Sequence, residues 1–163
     1  MMQQLDRDEV ARVVHATPDD VYRLVSDVTR TPEYSPEVVQ CSWADGATGA
    51  AVGARFAAKN KVGRGPAWTN HPQVTVAEPG RAFAVSRSEK GAGTIVWRYD
   101  LEPHPDGTLV RQSYEVTSPV RRLGWFIIGT LYGLKDRRAG LRANMEASLS
   151  RLAQVVETAE ITQ

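Results

Sequence analysis

"KNKVGRGPAW", residues 59–68, decides how the middle of this chain folds. Basic residues, two glycines one residue apart and a tryptophan fit two different structures. One is a loop that cradles phosphate; the other is a turn between two strands. A phosphate loop needs a helix directly behind its glycines, so that free amide donors and the helix dipole meet the anion. Here Pro66 and an extended run beginning at Trp68 follow instead. The third glycine of a dinucleotide fingerprint is missing, and no Gly-Lys-Ser/Thr occurs in the chain. The stretch reads as a turn whose glycines supply the backbone geometry.

Moving outward, the residues alternate as in antiparallel sheet with one wet and one dry face. "ARFAAKN" places Phe56, Ala58 and Asn60 together, and "VVQCSWA" places Val39, Cys41 and Trp43 together. "WTNHPQVTV" aligns Trp68, Asn70, Val74 and Val76, with Pro72 marking an edge strand or a bulge. "AFAVS" aligns Phe83 and Val85. "GTIVWRYDL" sets Ile95, Trp97, Tyr99 and Leu101 against Thr94, Arg98 and Asp100. After the Asp-Gly turn of "HPDGT", "LVRQSYEV" puts Val110, Gln112, Tyr114 and Val116 on one side.

Helices flank this sheet. "DEVARVVHA" is a first strand, and "TPDDVYRLVSDV" is a helix with Thr17 as N-cap, Pro18 at its first position and Asp19 and Asp20 at its positive end. Its apolar face is Val21, Leu24, Val25 and Val28. Pro32 and Pro36 bracket a short second helix or turn around Glu33 and Tyr34. From Lys135 to Glu157 there is no proline, and Leu134, Arg138, Leu141, Met145, Leu149, Leu152 and Val156 recur at helical spacing. Helices from both ends of the chain must cover the same dry sheet face.

Composition narrows the classes of function. The chain has 163 residues, 42% hydrophobic and 24% charged, as expected of one globular domain over residues 1–163. A net charge of +1 argues for no nucleic-acid partner. One cysteine, Cys41, and an N-terminus without a basic or apolar signal region lead us to expect a cytoplasmic protein. The longest nearly apolar run, Leu123–Leu134, has 12 residues, against the roughly 20 that a membrane-spanning helix needs.

Catalytic constellations are sparse. His15, His71 and His104 are isolated, so no metal is expected. No Gly-x-Ser-x-Gly occurs, and Cys41 reads as a buried small residue rather than a thiolate nucleophile. Asp19, Asp20 and Asp27 read as caps, and Asp100, Glu102 and Glu115 as solvated charges. The informative group is the row of inward aromatics, Trp43, Phe56, Trp68, Phe83, Trp97, Tyr99 and Tyr114, joined by Asn60, Asn70 and Gln112. Polar side chains on a dry face need partners.

The segments "ATPDDVYRLVSDVTRTPEYSPEV", "VGARFAAKNKVGRGPAW", "VAEPGRAFAV", "WRYDLEPHPDGTLVRQSYE" and "LRANMEASLSRL" resemble the SRPBCC superfamily, which includes polyketide cyclase/dehydrase-like proteins, START domains and the birch-pollen-allergen family. The resemblance covers nearly the whole chain. It implies an α+β helix-grip fold, with a curved antiparallel sheet of about six to seven strands wrapped around the long C-terminal helix and two short helices after strand one. It also implies a cavity between sheet and helix, lined by the inward aromatics and their polar companions.

Several functions fit that fold. With no catalytic motif, the principal expectation is binding of a small, largely apolar molecule (a lipid, isoprenoid or polyketide-like aromatic) without cofactor. An enzyme of the polyketide cyclase/aromatase or dehydrase type would need an acid or base in the pocket. Tyr99, Tyr114 and His71, if Pro72 re-aims it, are the candidates. A third reading is a regulatory or membrane-associated partner protein. Residues 118–142 hold six Lys/Arg and one acid around the apolar run. Residues 121–138 thus offer a weak membrane-surface contact, a lip over the cavity or a dimer contact, in a monomer or homodimer.

Overall fold

The computed structural model describes residues 6–89, 93–119, 121, 122, 124, 126, 127 and 136–161. The chain runs β1 (Arg7–Val14), α1 (Pro18–Ser26), a 3-10 helix (Val28–Glu33), β2 (Val38–Ala44), β3 (Arg55–Asn60), β4 (Trp68–Asn70), β5 (Gln73–Glu78), β6 (Ala82–Glu89), β7 (Gly93–His104), β8 (Gly107–Ser118) and α2 (Arg137–Ile161). The strands form one 8-stranded antiparallel sheet in the order β1-β8-β7-β6-β5-β3-β2, with β4 paired to β3 off that path. The extra strand beyond the expected number comes from Pro72. Without an N–H to give, it divides the anticipated run into β4 and β5. β5 lies inside the sheet between β3 and β6, while β4 pairs with β3 alone.

Local chemistry places each boundary. The Thr17 hydroxyl accepts from the Asp20 amide at 3.2 Å, capping α1 behind Pro18. Asp27 ends α1 and caps the 3-10 helix, accepting from the Thr29 amide at 3.2 Å and from its hydroxyl at 2.6 Å. In the opening turn Gly63 adopts φ 58°, and the Lys61 ammonium donates to the Gly65 carbonyl. β4 follows, not a helix. At the β7–β8 turn Gly107 has φ 136°, and a Cβ there would lie 2.2 Å from the Val14 carbonyl. Only glycine lets this turn press against the end of β1. The Thr108 hydroxyl then donates to the Ala16 carbonyl at 2.7 Å and seals the corner.

α2 lies across β1 and β8 and touches α1 and the 3-10 helix. Its buried stripe is Leu141, Met145, Leu149, Leu152, Ala153 and Val156. Each of its leucine, methionine and valine side chains contributes about 1.5–3 kcal/mol when fully withdrawn from water. Leu134 lies outside the described residues, and Arg138 is exposed; its neighbour Arg137 takes the inward place.

The inward face mostly follows the alternation. Two of the three register shifts among the described strands move residues expected on it. A register shift between Val38 and Gln40 leaves Val39 half exposed and sends Val38 inward. A second shift, between Val74 and Val76, pairs Ala77 rather than Val76 with Phe83. A bulge adds one residue to one strand and so reverses facing beyond it.

Among the described residues no helix is long and apolar enough to cross a membrane. The apolar run Leu123–Leu134 and the surface contact expected through 121–138 fall largely outside the described residues; within them Phe126 and Ile127 are exposed.

Candidate functional site

Because α2 rests over β1 and β8, space remains between it, the 3-10 helix and the inward face of the other strands. A cavity of about 150 Å³ occupies that space. Of the residues singled out from the alternation, Phe56, Asn60, Asn70, Phe83, Trp97, Tyr99 and Gln112 line it. Trp43, Trp68 and Tyr114 do not. Trp43 stacks edge-on against Phe56, with ring centroids 5.8 Å apart. Trp68 is half-buried on β4 opposite Asn60. Tyr114 is fully buried against Trp97, at 5.3 Å between centroids. Trp43 and Tyr114 share the inward side, but each packs on a ring, Phe56 or Trp97, that itself lines the cavity.

The roof comes from elements that strand parity does not cover. Val25, Val28, Thr31 and Tyr34 reach in from α1 and the 3-10 helix, and Leu141, Asn144, Met145 and Ser148 from α2. Cys41 and Val38 enter from β2, and Arg87 continues the Phe83–Val85 face of β6. Parity along β6 would have found Arg87. Nothing local marks Glu37. Its Oε1 accepts from Arg137 Nη1 at 2.7 Å and from Asn144 Nδ2 at 2.6 Å, and its Oε2 accepts from Arg137 Nη2 at 3.1 Å. This ion pair is nearly closed to solvent, with side chains 8% and 12% exposed. It clamps the connection before β2 to the first turn of α2.

The thiol and the phenols on the wall are held neutral. Burial pushes the Cys41 thiol up to about 11, so at neutral pH it is a thiol and a poor nucleophile. Burial also raises the Tyr34 phenol. Burial, the nearby Tyr34 and a hydrogen bond to it raise Tyr99 well above the ordinary 10.0. Of the acid–base candidates, Tyr99 alone meets the cavity; His71 is exposed, and Tyr114 lies behind Trp97. Pro72 does break the strand, yet it does not turn His71 inward. Among the described residues no three His, Cys, Asp or Glu side chains come together.

Some polar groups around the cavity pair with each other, as Glu37 does with Asn144. Asn60 Nδ2 donates to the Ala58 carbonyl at 3.0 Å. Gln112 Oε1 is buried without a hydrogen-bond partner, as is the Tyr114 hydroxyl outside the lining.

An open antiparallel sheet closed by a C-terminal helix over a largely apolar cavity defines the helix-grip class. The chain belongs to the family described as polyketide cyclase / dehydrase and lipid transport, whose model matches residues 7–157. No curated protein matches it. Among solved structures it is similar to protein CV1439 from Chromobacterium violaceum, at 18% identity over 94% of this chain and 99% of that one, TM-score 0.67. It is similar to the di-domain ARO/CYC StfQ from the steffimycin biosynthetic pathway, at 17% identity over 94% of this chain and 51% of that one, TM-score 0.73. Ginseng major latex-like protein 151 from Panax ginseng matches at 13% identity over 91% of this chain and 95% of that one, TM-score 0.67. At these identities the likeness is one of fold.

Proposed function

We propose that this chain binds a small, largely apolar molecule in the cavity and carries or sequesters it unchanged. The observation that supports this reading is the wall itself: aromatic and aliphatic side chains with a few polar groups, and a thiol and phenols that burial keeps protonated. Both halves of the family's description, cyclase/dehydrase and lipid transport, concern such cargo. Size narrows the choice. An engineered apolar cavity of about 150 Å³ takes up benzene, and this one has about the same volume. One ring or a short branched chain fits as the structure stands. A fused polyketide or a long lipid would require α2 and the 3-10 helix to separate.

The cyclase reading rests on Tyr99 alone, and a phenol held so firmly protonated is a poor base near neutral pH.

The test is thermal unfolding of the purified protein with toluene, naphthalene, geraniol and palmitate, paired with mass spectrometry of an organic extract. A ligand at 100 times its Kd adds about 2.7 kcal/mol, which for a chain of this size raises Tm by roughly 5–10 °C. No shift with any of these compounds and an empty extract would overturn the proposal.

A further inference from the structure

A stranded acceptor in the cavity wall, Gln112 Oε1, points to the chemistry of the cargo. Gln112 sits midway along β8 with only 7% of its surface exposed, and it lines the cavity. Its Oε1 has no hydrogen-bond partner. The neighbours that share its face explain why. Across the ladder stand Val10 on β1 and Tyr99 on β7. Valine has no side-chain donor, and the Tyr99 phenol is hydrogen-bonded to Tyr34. Along β8 the same-face neighbours are Val110, again without a donor, and Tyr114, whose hydroxyl is itself unpartnered and packed behind Trp97.

A buried amide oxygen left without a donor costs about 1–3 kcal/mol. A leucine here would avoid that cost and fill space. The arrangement makes sense if the missing donor arrives with the ligand. Resting on the binding function proposed above, we infer that the cargo is an apolar molecule carrying one hydroxyl, a phenol or small alicyclic alcohol, which donates its hydrogen to Gln112 Oε1 while its ring lies against Trp97 and Phe83. The volume of about 150 Å³ holds the ring to roughly monocyclic size. The cavity then selects by hydrogen-bond polarity as well as by shape, since a ligand without the donor leaves Gln112 buried and unpaired.

The experiment compares three molecules of nearly one size. They are p-cresol, which donates, toluene, which does neither, and 4-methylbenzaldehyde, which only accepts. Their affinities are measured by calorimetry on the wild type and on Gln112→Leu and Gln112→Glu, whose folding is checked first by their unfolding midpoints. In a purely apolar cavity toluene should win, because cresol must shed water from its hydroxyl. In the wild type p-cresol should bind at least as tightly as toluene. Gln112→Leu should shift the toluene-to-cresol affinity ratio about tenfold or more toward toluene, that is about 1.4 kcal/mol or more. Gln112→Glu should keep the preference for p-cresol over 4-methylbenzaldehyde if its carboxylate is ionised. Toluene and cresol binding with a ratio unmoved by Gln112→Leu would overturn the inference and leave the binding function standing. A wild-type preference for the aldehyde would overturn it too, showing that the side chain presents its NH2. If none of the three binds, this inference fails, and if the wider compound series also fails, the binding function falls with it.

Discussion

At the scale of single residues, the cavity is a place where phenols do not ionise. Tyr34 and Tyr99 face each other from the 3-10 helix and β7, and burial raises both. An acid whose folded pKa lies above its unfolded one keeps its proton in the native state after the unfolded chain has lost it. Its contribution to stability is whole below the ordinary phenol value of 10.0 and is lost as pH rises beyond it toward the folded value. Unfolding midpoints in urea should therefore decline as the pH is raised beyond about 10. Tyr99→Phe should make that fall shallower. Equal slopes for variant and wild type would show that Tyr99 takes no part. Asn60 and Gln112 were legible as inward residues because period two assigns a face from the sequence alone. That Gln112 lacks a donor was not, because it depends on what stands opposite it on β1 and β7.

At the scale of elements, the decisive contact joins parts of the chain 100 residues apart. The Glu37–Arg137 pair, with Asn144, fastens the connection before β2 to the start of α2 and so fixes one wall of the cavity. Breaking a buried ion pair by removing one member leaves an uncompensated charge and costs about 3–5 kcal/mol. Glu37→Leu alone should lose about that much in chemical denaturation. Glu37→Leu combined with Arg137→Met should recover most of it, because both charges leave together. A single variant within about 1 kcal/mol of wild type would mean that water already reaches the pair. No local signal announces this contact. Glu37 lies between a proline and a strand, and the helical recurrence drew attention to Arg138, one residue away from the buried arginine. In contrast, the caps at Thr17 and Asp27 act within three residues of themselves, and Thr17 could be read directly.

For the whole molecule, the question is whether the inward aromatics are a core or a container. Trp97 separates the two. It lies in the cleanest alternating strand, touches Tyr114 on one side and meets the cavity on the other. Truncating a fully packed aromatic costs about 3–5 kcal/mol. Part of this ring already faces open space, so Trp97→Ala should cost less than that and should weaken toluene by about tenfold or more. Calorimetry and melting on the same variant decide it. A full core-sized loss of stability with unchanged affinity per folded molecule would make Trp97 a core residue only.

The sequence by itself determined the succession of elements, the turn at "KNKVGRGPAW" and the family. Each depends on local chemistry: a proline behind the glycines, alternation along strands, a cap before a helix. It also determined which side of most strands is dry, failing at Val39 and Val76, where a single added residue reverses the facing. Tertiary structure alone decided which dry residues meet empty space. Phe56, Phe83 and Trp97 line the cavity while Trp43, Trp68 and Tyr114 do not, although all share the inward side. The reason is physical. Facing is a property of one strand, whereas a cavity is the volume left over when α2, laid across β1 and β8, cannot also reach the strands beyond.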